Sequence, residues 1–428
     1  MFRRLLPVLV PAPGPARGLA ASQLVNSVGD GAFIVCSALY FSRVVGLSAG
    51  RIGLGLTVAW GLGAVVGVWL GHLADRRGPR GIAVLLSTAT AVSVAALLCV
   101  RSFVPFLLVV CVYATAQSGL AAARQSLLAG LVPRGERTGV LAHLQATGNA
   151  GIAVGAAIGA VALHLGTPAA YLSVLGVDAV AFAACALLLG RLPSPAPAGT
   201  PGPGGEAGRG GMAVLRDRPY ALVTFLNMVM LLRMPLISLA IPLWIVEHTA
   251  APGWTVSALL VLNTGGVMLF QVRTAAGVTG LPSAVGAVRS GGVVMFASCL
   301  VFALSGAAGG AAWAAVAALL VGAALQVWGE MRQSAGAWQI SFDLAPAGQQ
   351  GQYQGFFGAG VPVARMLGPV LLTTLVLTWG TAGWVVLGGL FLAAGLAMGP
   401  VVRHAERRAG AVTSGAADVR RATGCSGT

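Results

Sequence analysis

The sequence predicts an all-α membrane protein with twelve transmembrane helices in two pseudo-symmetric six-helix halves. Three observations predict it. Apolar residues make up 57% of the 428 residues and charged residues only 9%, against about 25% charged in a soluble protein. The apolar residues gather into repeated runs, each long enough for a bilayer crossing of about 20 residues. A short pattern also recurs between the halves. Leu131-Val132-Pro133 leads to Gly155, and Leu344-Ala345-Pro346 leads to Gly368, with an offset of 213 residues in both cases.

The elements follow in chain order. A tail, 1–18, holds Arg3 and Arg4, a short apolar stretch, Pro11-Ala12-Pro13-Gly14-Pro15 and Arg17. That stretch is too short for a cleaved signal peptide, so the segment is expected to be cytoplasmic. The first half, 19–190, holds runs at 19–42, 50–71, 81–100, 103–131, 139–165 and 168–190. A linker, 191–218, carries five prolines and two Gly-Gly pairs, has nothing to bury, and is expected to be flexible. The second half, 219–402, holds runs at 219–246, 254–272, 288–306, 310–343, 350–378 and 381–402, and a basic tail, 403–428, closes the chain.

Charge sets the orientation. All 26 basic residues are arginine. Twenty fall in the tails and on one side of the bundle, including Arg76, Arg77, Arg80, Arg124, Arg134, Arg137, Arg273 and Arg289. Only Arg43, Arg51 and Arg101 fall on the other side, and Arg233, Arg332 and Arg365 lie within runs. Both termini are therefore expected to be cytoplasmic. The lack of lysine excludes a Walker-type phosphate loop and Schiff-base chemistry. It also points to a GC-rich bacterial coding bias, hence a bacterial plasma membrane. A net charge of +15 is explained by these topogenic arginines and needs no nucleic acid. The six cysteines form no C-x-x-C, and the five histidines form no metal constellation. No cofactor, metal or enzymatic nucleophile–base pair is expected, and the chain is expected to be monomeric in the bilayer.

Residues 71–80, Gly71-His72-Leu73-Ala74-Asp75-Arg76-Arg77-Gly78-Pro79-Arg80, form a charged knot between two apolar runs. Such a link is expected to be an aqueous turn. Its order resembles the loop between helices 2 and 3 of the major facilitator superfamily, G-x-L-A-D-R-x-G-R-R. Gly71, Asp75, Arg76, Gly78 and Arg80 are kept, while Pro79 stands where that family usually has a base. The resemblance implies a cytoplasmic gate, in which Asp75 latches the two halves. The start of run 11, near Gln352, and Arg124 are its expected partners. The corresponding link of the second half, 273–288, has no acid. The latch is therefore expected to be one-sided, with Asp75 its only anion.

Gly151, Gly155 and Gly159 share one face of run 5, which allows close helix packing. They resemble the antiporter motif of the same superfamily, G-x-x-x-G-P-x-x-G-G, with Ala156 at the proline and Ala160 at the last glycine. An intact pair, Gly368-Pro369, occurs in run 11. Ala123-Arg124-Gln125 with Val132-Pro133, and Asp178-Ala179-Val180-Ala181-Phe182, resemble its macrolide- and siderophore-exporter branch. The mid-span arginine that many drug:proton antiporters carry in run 4 is missing, and Gln117 lies at about that depth.

Asp30, Asp178 and Glu330, with Arg233, Arg332 and Arg365, are charges at membrane depth. Each costs at least about 2.5 kcal/mol at a helix centre, so each should be paired or face a water-filled cavity. In the superfamily, helices 1, 4, 7 and 10 line the cavity. The resemblance thus puts Asp30, Asn26, Gln117, Arg233 and Glu330 there, with Asp30 as the protonated group. Arg365 is a further candidate, and Asp178 is expected to be structural. Trp60, Tyr113, Trp244, Trp328 and Trp338 are candidate pocket aromatics, with interfacial anchoring and core packing as the alternatives.

The resulting expectation is efflux of small, drug- or metabolite-like molecules, as in multidrug resistance, in exchange for protons. Two alternatives stay open. One is a proton-coupled importer of a small anionic metabolite. The other is a receptor or scaffold with a transporter fold and no transport.

Overall fold

The structure is a computed structural model that describes residues 11, 13–195, 212–306, 311–346 and 348–424, with side chains as far as Arg407. Arg3, Arg4, Arg209, Cys425, linker residues 196–211 and the side chains of Arg408, Arg420 and Arg421 lie outside the described residues. Among the described residues, twelve helices are long and apolar enough to span a bilayer. In the first half they are α1 Pro15–Val44, α2 Ala49–Arg77, α3 Pro79–Leu97, α4 Phe103–Leu131, α5 Arg134–Leu165 and α6 Pro168–Gly190. In the second they are α7 Arg218–His248, α8 Trp254–Ala276, α9 Leu281–Gly306, α10 Ala312–Leu344, α11 Gln350–Thr378 and α12 Thr381–Arg407. All twelve apolar runs are present, and several helices extend beyond them by a turn or two.

Those extensions correct several expectations. The charged knot is not a turn: α2 stays helical through Arg77, and Gly78 alone links it to α3. Gly78 can do this because its φ of 97° is open to glycine, and Pro79 starts α3 without needing a hydrogen-bonding N–H. The segment expected as a basic tail continues the last helix to Gly424. The linker's described flanks are packed: Leu192 and Val214 are buried, and Arg80 donates to the Leu192 carbonyl at 2.9 Å.

Side chains on the helices divide into core and lipid faces. One apolar core lies within the first half, around Tyr40, Phe106, Leu127 and Phe182. A second lies within the second half, around Trp244, Phe302, Trp384 and Phe391. Outward-facing Val246, Trp313, Val180 and Leu187 are 68–78% exposed, an apolar surface that only a bilayer covers comfortably. Trp254 and Trp313 sit together at the starts of α8 and α10, as membrane-interface anchors do.

Glycines let α5 lie against α1. A Cβ at Gly155 would strike the Val28 carbonyl, and one at Gly151 would stand 2.9 Å from the Leu24 carbonyl. Helices α7 and α11 are both interrupted, near Leu232–Pro235 and at Ala359. Pro235 explains the first interruption, since it lacks the N–H that would continue the ladder. Gly368 packs directly against Pro235, so the Gly368-Pro369 pair joins these two broken helices.

Candidate functional site

Two groups of side chains lie between the halves. The first is at the Gly78 end. Asp75, on the last turn of α2, is buried. Its Oδ1 accepts the Gly351 N–H at 2.7 Å and the Ser126 hydroxyl at 3.0 Å, and its Oδ2 accepts the Gln352 N–H at 2.9 Å. Those N–H groups belong to the first turn of α11, where no carbonyl of the helix can reach them. The carboxylate also meets the positive end of the helix dipole. Gly71 and Gly351 make the approach possible, because a Cβ on either would overlap the other's carbonyl oxygen.

The other expected gate residues are placed differently. Arg124 does not reach Asp75; it donates to the Gln23 Oε1 of α1. Arg76 is exposed, and Arg80 ties α3 to the end of α6. A further contact between the halves was not anticipated from the sequence. Thr138, at the start of α5, donates its hydroxyl to the Gln339 Oε1 of α10. Gln339 Nε2 in turn donates to Asp343 at 2.7 Å, and the Arg137 guanidinium sits 5.5 Å from the Phe342 ring centroid. The halves therefore meet at a second crossing, whose hydrogen bond joins two neutral side chains, with Asp343 behind Gln339 and Arg137 over Phe342 beside it.

The second group surrounds a cavity of about 340 Å³, lined by α2, α4, α5, α7, α10 and α11. Arg233 stands at the interruption in α7. It pairs with Glu330 at 2.8 Å and donates to Gln333 at 3.2 Å and Ser334 at 2.9 Å. Gln333 donates to Asn227, and Asn263 of α8 donates to Glu330. The pair is thus neutralised and supported by further hydrogen bonds on both partners, as a buried ion pair must be. Arg365 is different. It lies over the Trp60 ring, 4.4 Å from its centroid, and has no hydrogen bond or ion pair among the described residues.

Asp30 and Asn26, expected in the cavity, are not among its lining residues. Gln117 lines it and stands between. Its amide lies 3.4 Å from Asp30 Oδ1 and 3.1 Å from the Tyr113 hydroxyl, and Asn26 donates to Asp30 Oδ2 at 2.7 Å. Asp30 nonetheless lies within the fields of Arg365 and Arg124. Asp178 is fully buried behind it, packed on Gly29, with no hydrogen bond to its carboxylate among the described residues. Arg332 turns away from the cavity and donates to Ser290 of α9.

Among the candidate aromatics, Trp60 and Trp338 line the cavity. Trp244 is buried and stacked on His248, Trp328 is 44% exposed, and Tyr113 backs Gln117. Sequence reading missed Ser126, Asn227, Gln333, Ser334 and Gln354. Their one signal is that amides and hydroxyls recur inside apolar runs, where a polar group needs a partner or water. Among the described residues no three of His, Cys, Asp or Glu gather as metal ligands would.

The Major Facilitator Superfamily model matches residues 19–327. No curated protein matches the chain. Among solved structures, the human organic anion transporter MFSD10 (TETRAN) superposes with a TM-score of 0.67 at 16% identity, covering 92% of this chain and 99% of that one. A bacterial homologue of the iron transporter ferroportin, in an outward-facing state, gives 0.69 at 16% identity over 92% and 99%. The transporter FucP, in an outward conformation, gives 0.70 at 13% identity over 91% and 98%. At such identities the likeness concerns the fold.

Proposed function

Because this chain belongs to the Major Facilitator Superfamily, whose members are transporters rather than enzymes, we propose that it exports a small molecule in exchange for protons, by alternating access. The observation that carries the reading is the cavity between two halves whose mouth is held shut by Asp75 on the first turn of α11. A few hydrogen bonds hold such a closure, and they can break and re-form in each cycle. The arginine-rich face supports a cytoplasmic side for that mouth, both termini and the linker. Asp30 is the proton-carrying group in this proposal, because it touches the cavity only through Gln117. A change in its charge therefore reaches the substrate site without a direct contact. The glycine face of α5 supports the exporter direction by its resemblance to the antiporter motif.

The unpaired Arg365 favours a second reading, import of an anionic metabolite together with protons. Asp30 shares the field of Arg365. Neutralising Asp30 releases that positive charge for an anion, so proton and anion load together.

Reconstituted proteoliposomes test both readings. A pH gradient should drive substrate across the membrane in a direction that separates antiport from symport. Asp30→Asn should cut the gradient-driven rate at least about tenfold while leaving counterflow without a gradient in place. Unchanged gradient-driven transport in that variant would remove Asp30 from the coupling.

A further inference from the structure

The cavity's charges identify the kind of molecule it holds. Arg233 lies in it but is cancelled by Glu330 at 2.8 Å, and two further donors go to Gln333 and Ser334. The other polar groups of the lining, such as Gln117 and Asn227, are neutral. Arg365 alone brings an unmatched charge among the described lining residues. A guanidinium at membrane depth with no ion pair is costly; Asp30 acts on it only from outside the cavity lining, and the face of Trp60 compensates only part of that cost. Its N–H edge is left with nothing to bind. A guanidinium edge presents paired donors in one plane, which match the two oxygens of a carboxylate.

The walls give the rest of the molecule. Trp60, Trp338 and Phe357 line the same cavity with Met234. Three of these are flat aromatic rings, and the volume of about 340 Å³ lies at the small end of ligand pockets. The structure assigns to this cavity a small monoanion with a flat apolar body, its carboxylate on Arg365 and its body against Trp60. A second negative charge has no partner there, since Glu330 already occupies Arg233. A cation meets Arg365 as a like charge. The assignment rests on the cavity being the substrate site, which both transport readings share.

Calorimetric titration of the purified full-length protein in lipid nanodiscs tests it with four probes of similar shape. These are benzoate, the neutral benzamide, the cation benzylamine and the dianion phthalate. Benzoate should bind at least about tenfold more tightly than each of the others. Arg365→Ala should erase that preference, Arg365→Lys should keep part of it, and Trp60→Ala should weaken all flat probes by about tenfold or less. Equal binding of benzoate and benzamide, or benzoate binding untouched by Arg365→Ala, would overturn the assignment and leave Arg365 as a strut between α2 and α11. Binding of none of the probes overturns it as well. The comparison among probes needs only the wild-type protein, so a misfolded variant does not blunt it. Flux is read separately. Benzoate that binds but never crosses the vesicle wall counts against transport alone, while transport of another solute with no preference for anions counts against this assignment alone.

Discussion

The two crossings between the halves share one plan and differ in charge. At the first, Asp75 of α2, itself held by the Ser126 hydroxyl of α4, grips the backbone of Gly351 and Gln352 at the start of α11. The 213-residue offset of the repeat carries Ser126 to Gln339, Gly351 to Thr138 and Gln352 to Gly139. At the second crossing Gln339 of α10 indeed meets Thr138 at the start of α5, but side chain to side chain, and the Asp343 carboxylate bonds only Gln339 of its own helix rather than the other half. Hydrogen bonds to a charged group contribute about 1.5–3 kcal/mol each, neutral ones about 0.5–1.5. The first crossing should therefore set how firmly the mouth closes, and the second should mainly keep register. A transporter needs such inequality, because two strong clasps would hold one state and stop the cycle.

The largest break in the comparison should come from Gly351→Ala. The new Cβ would strike the Gly71 carbonyl and stand 2.7 Å from Asp75 Oδ1, so the backbones cannot meet. Overpacking of this kind costs about 3 kcal/mol, roughly a hundredfold shift toward the open mouth. Spin labels at the exposed Arg76 and Pro346 would report it as loss of the short distance between the halves. A preserved short distance would mean that the close approach does not limit closure.

Asp75→Asn comes next. It keeps an acceptor oxygen but loses the charge that faces the helix dipole and two N–H groups. The expected cost is about 1.5–3 kcal/mol, a ten- to hundredfold change in the open-to-closed ratio. The same label pair reads it, and transport should fall with it. Affinity in the cavity should stay within about twofold, since Asp75 does not line it. Loss of cavity binding together with unchanged distances would deny Asp75 its place as a latch.

Residues explain how much of this was legible. The twelve spans were, because lipid demands long apolar runs and leaves little freedom in reading them. Asp75 and its partner near Gln352 could be anticipated from the order of residues 71–80. That α2 stays helical through Arg77 could not, because four charges within six residues read as an aqueous link. What keeps Asp75 in the helix is the buried backbone of α11, a contact 276 residues away in the chain. Thr138 and Gln339 were invisible for the opposite reason: a neutral hydroxyl and an amide carry no signature at all. Arg233 and Glu330 were both visible as buried charges, but their pairing across α7 and α10 is a matter of tertiary geometry. Asp30 was assigned to the cavity by helix number. The side chain of Gln117, a residue chosen only for its depth, stands between them.

Thr138→Ala should have a smaller effect than either latch change. It removes one neutral hydrogen bond, worth about 0.5–1.5 kcal/mol, and leaves Gln339 able to bond Asp343. The mouth should open by less than about tenfold. In the double variant with Asp75→Asn the two costs should add within about 0.5 kcal/mol, as for separate sites. A larger coupling would show that the crossings act as one clasp.

The smallest effect should come from Gly139→Ala, the same chemical change as Gly351→Ala made on the neutral side. Nothing lies within 4 Å of a Cβ at Gly139, so no clash opposes it. Alanine also stabilises a helix by up to about 1 kcal/mol over glycine, and Gly139 lies in the first turn of α5. The distance between the labels should stay at its wild-type value, and thermal unfolding should shift upward slightly or not at all. The paired experiment separates steric closeness from helix stiffness. If Gly139→Ala opens the mouth as Gly351→Ala does, a stiffer helix start is responsible in both, and the tight backbone contact at Gly71 and Gly351 is not what makes the acidic crossing the stronger one.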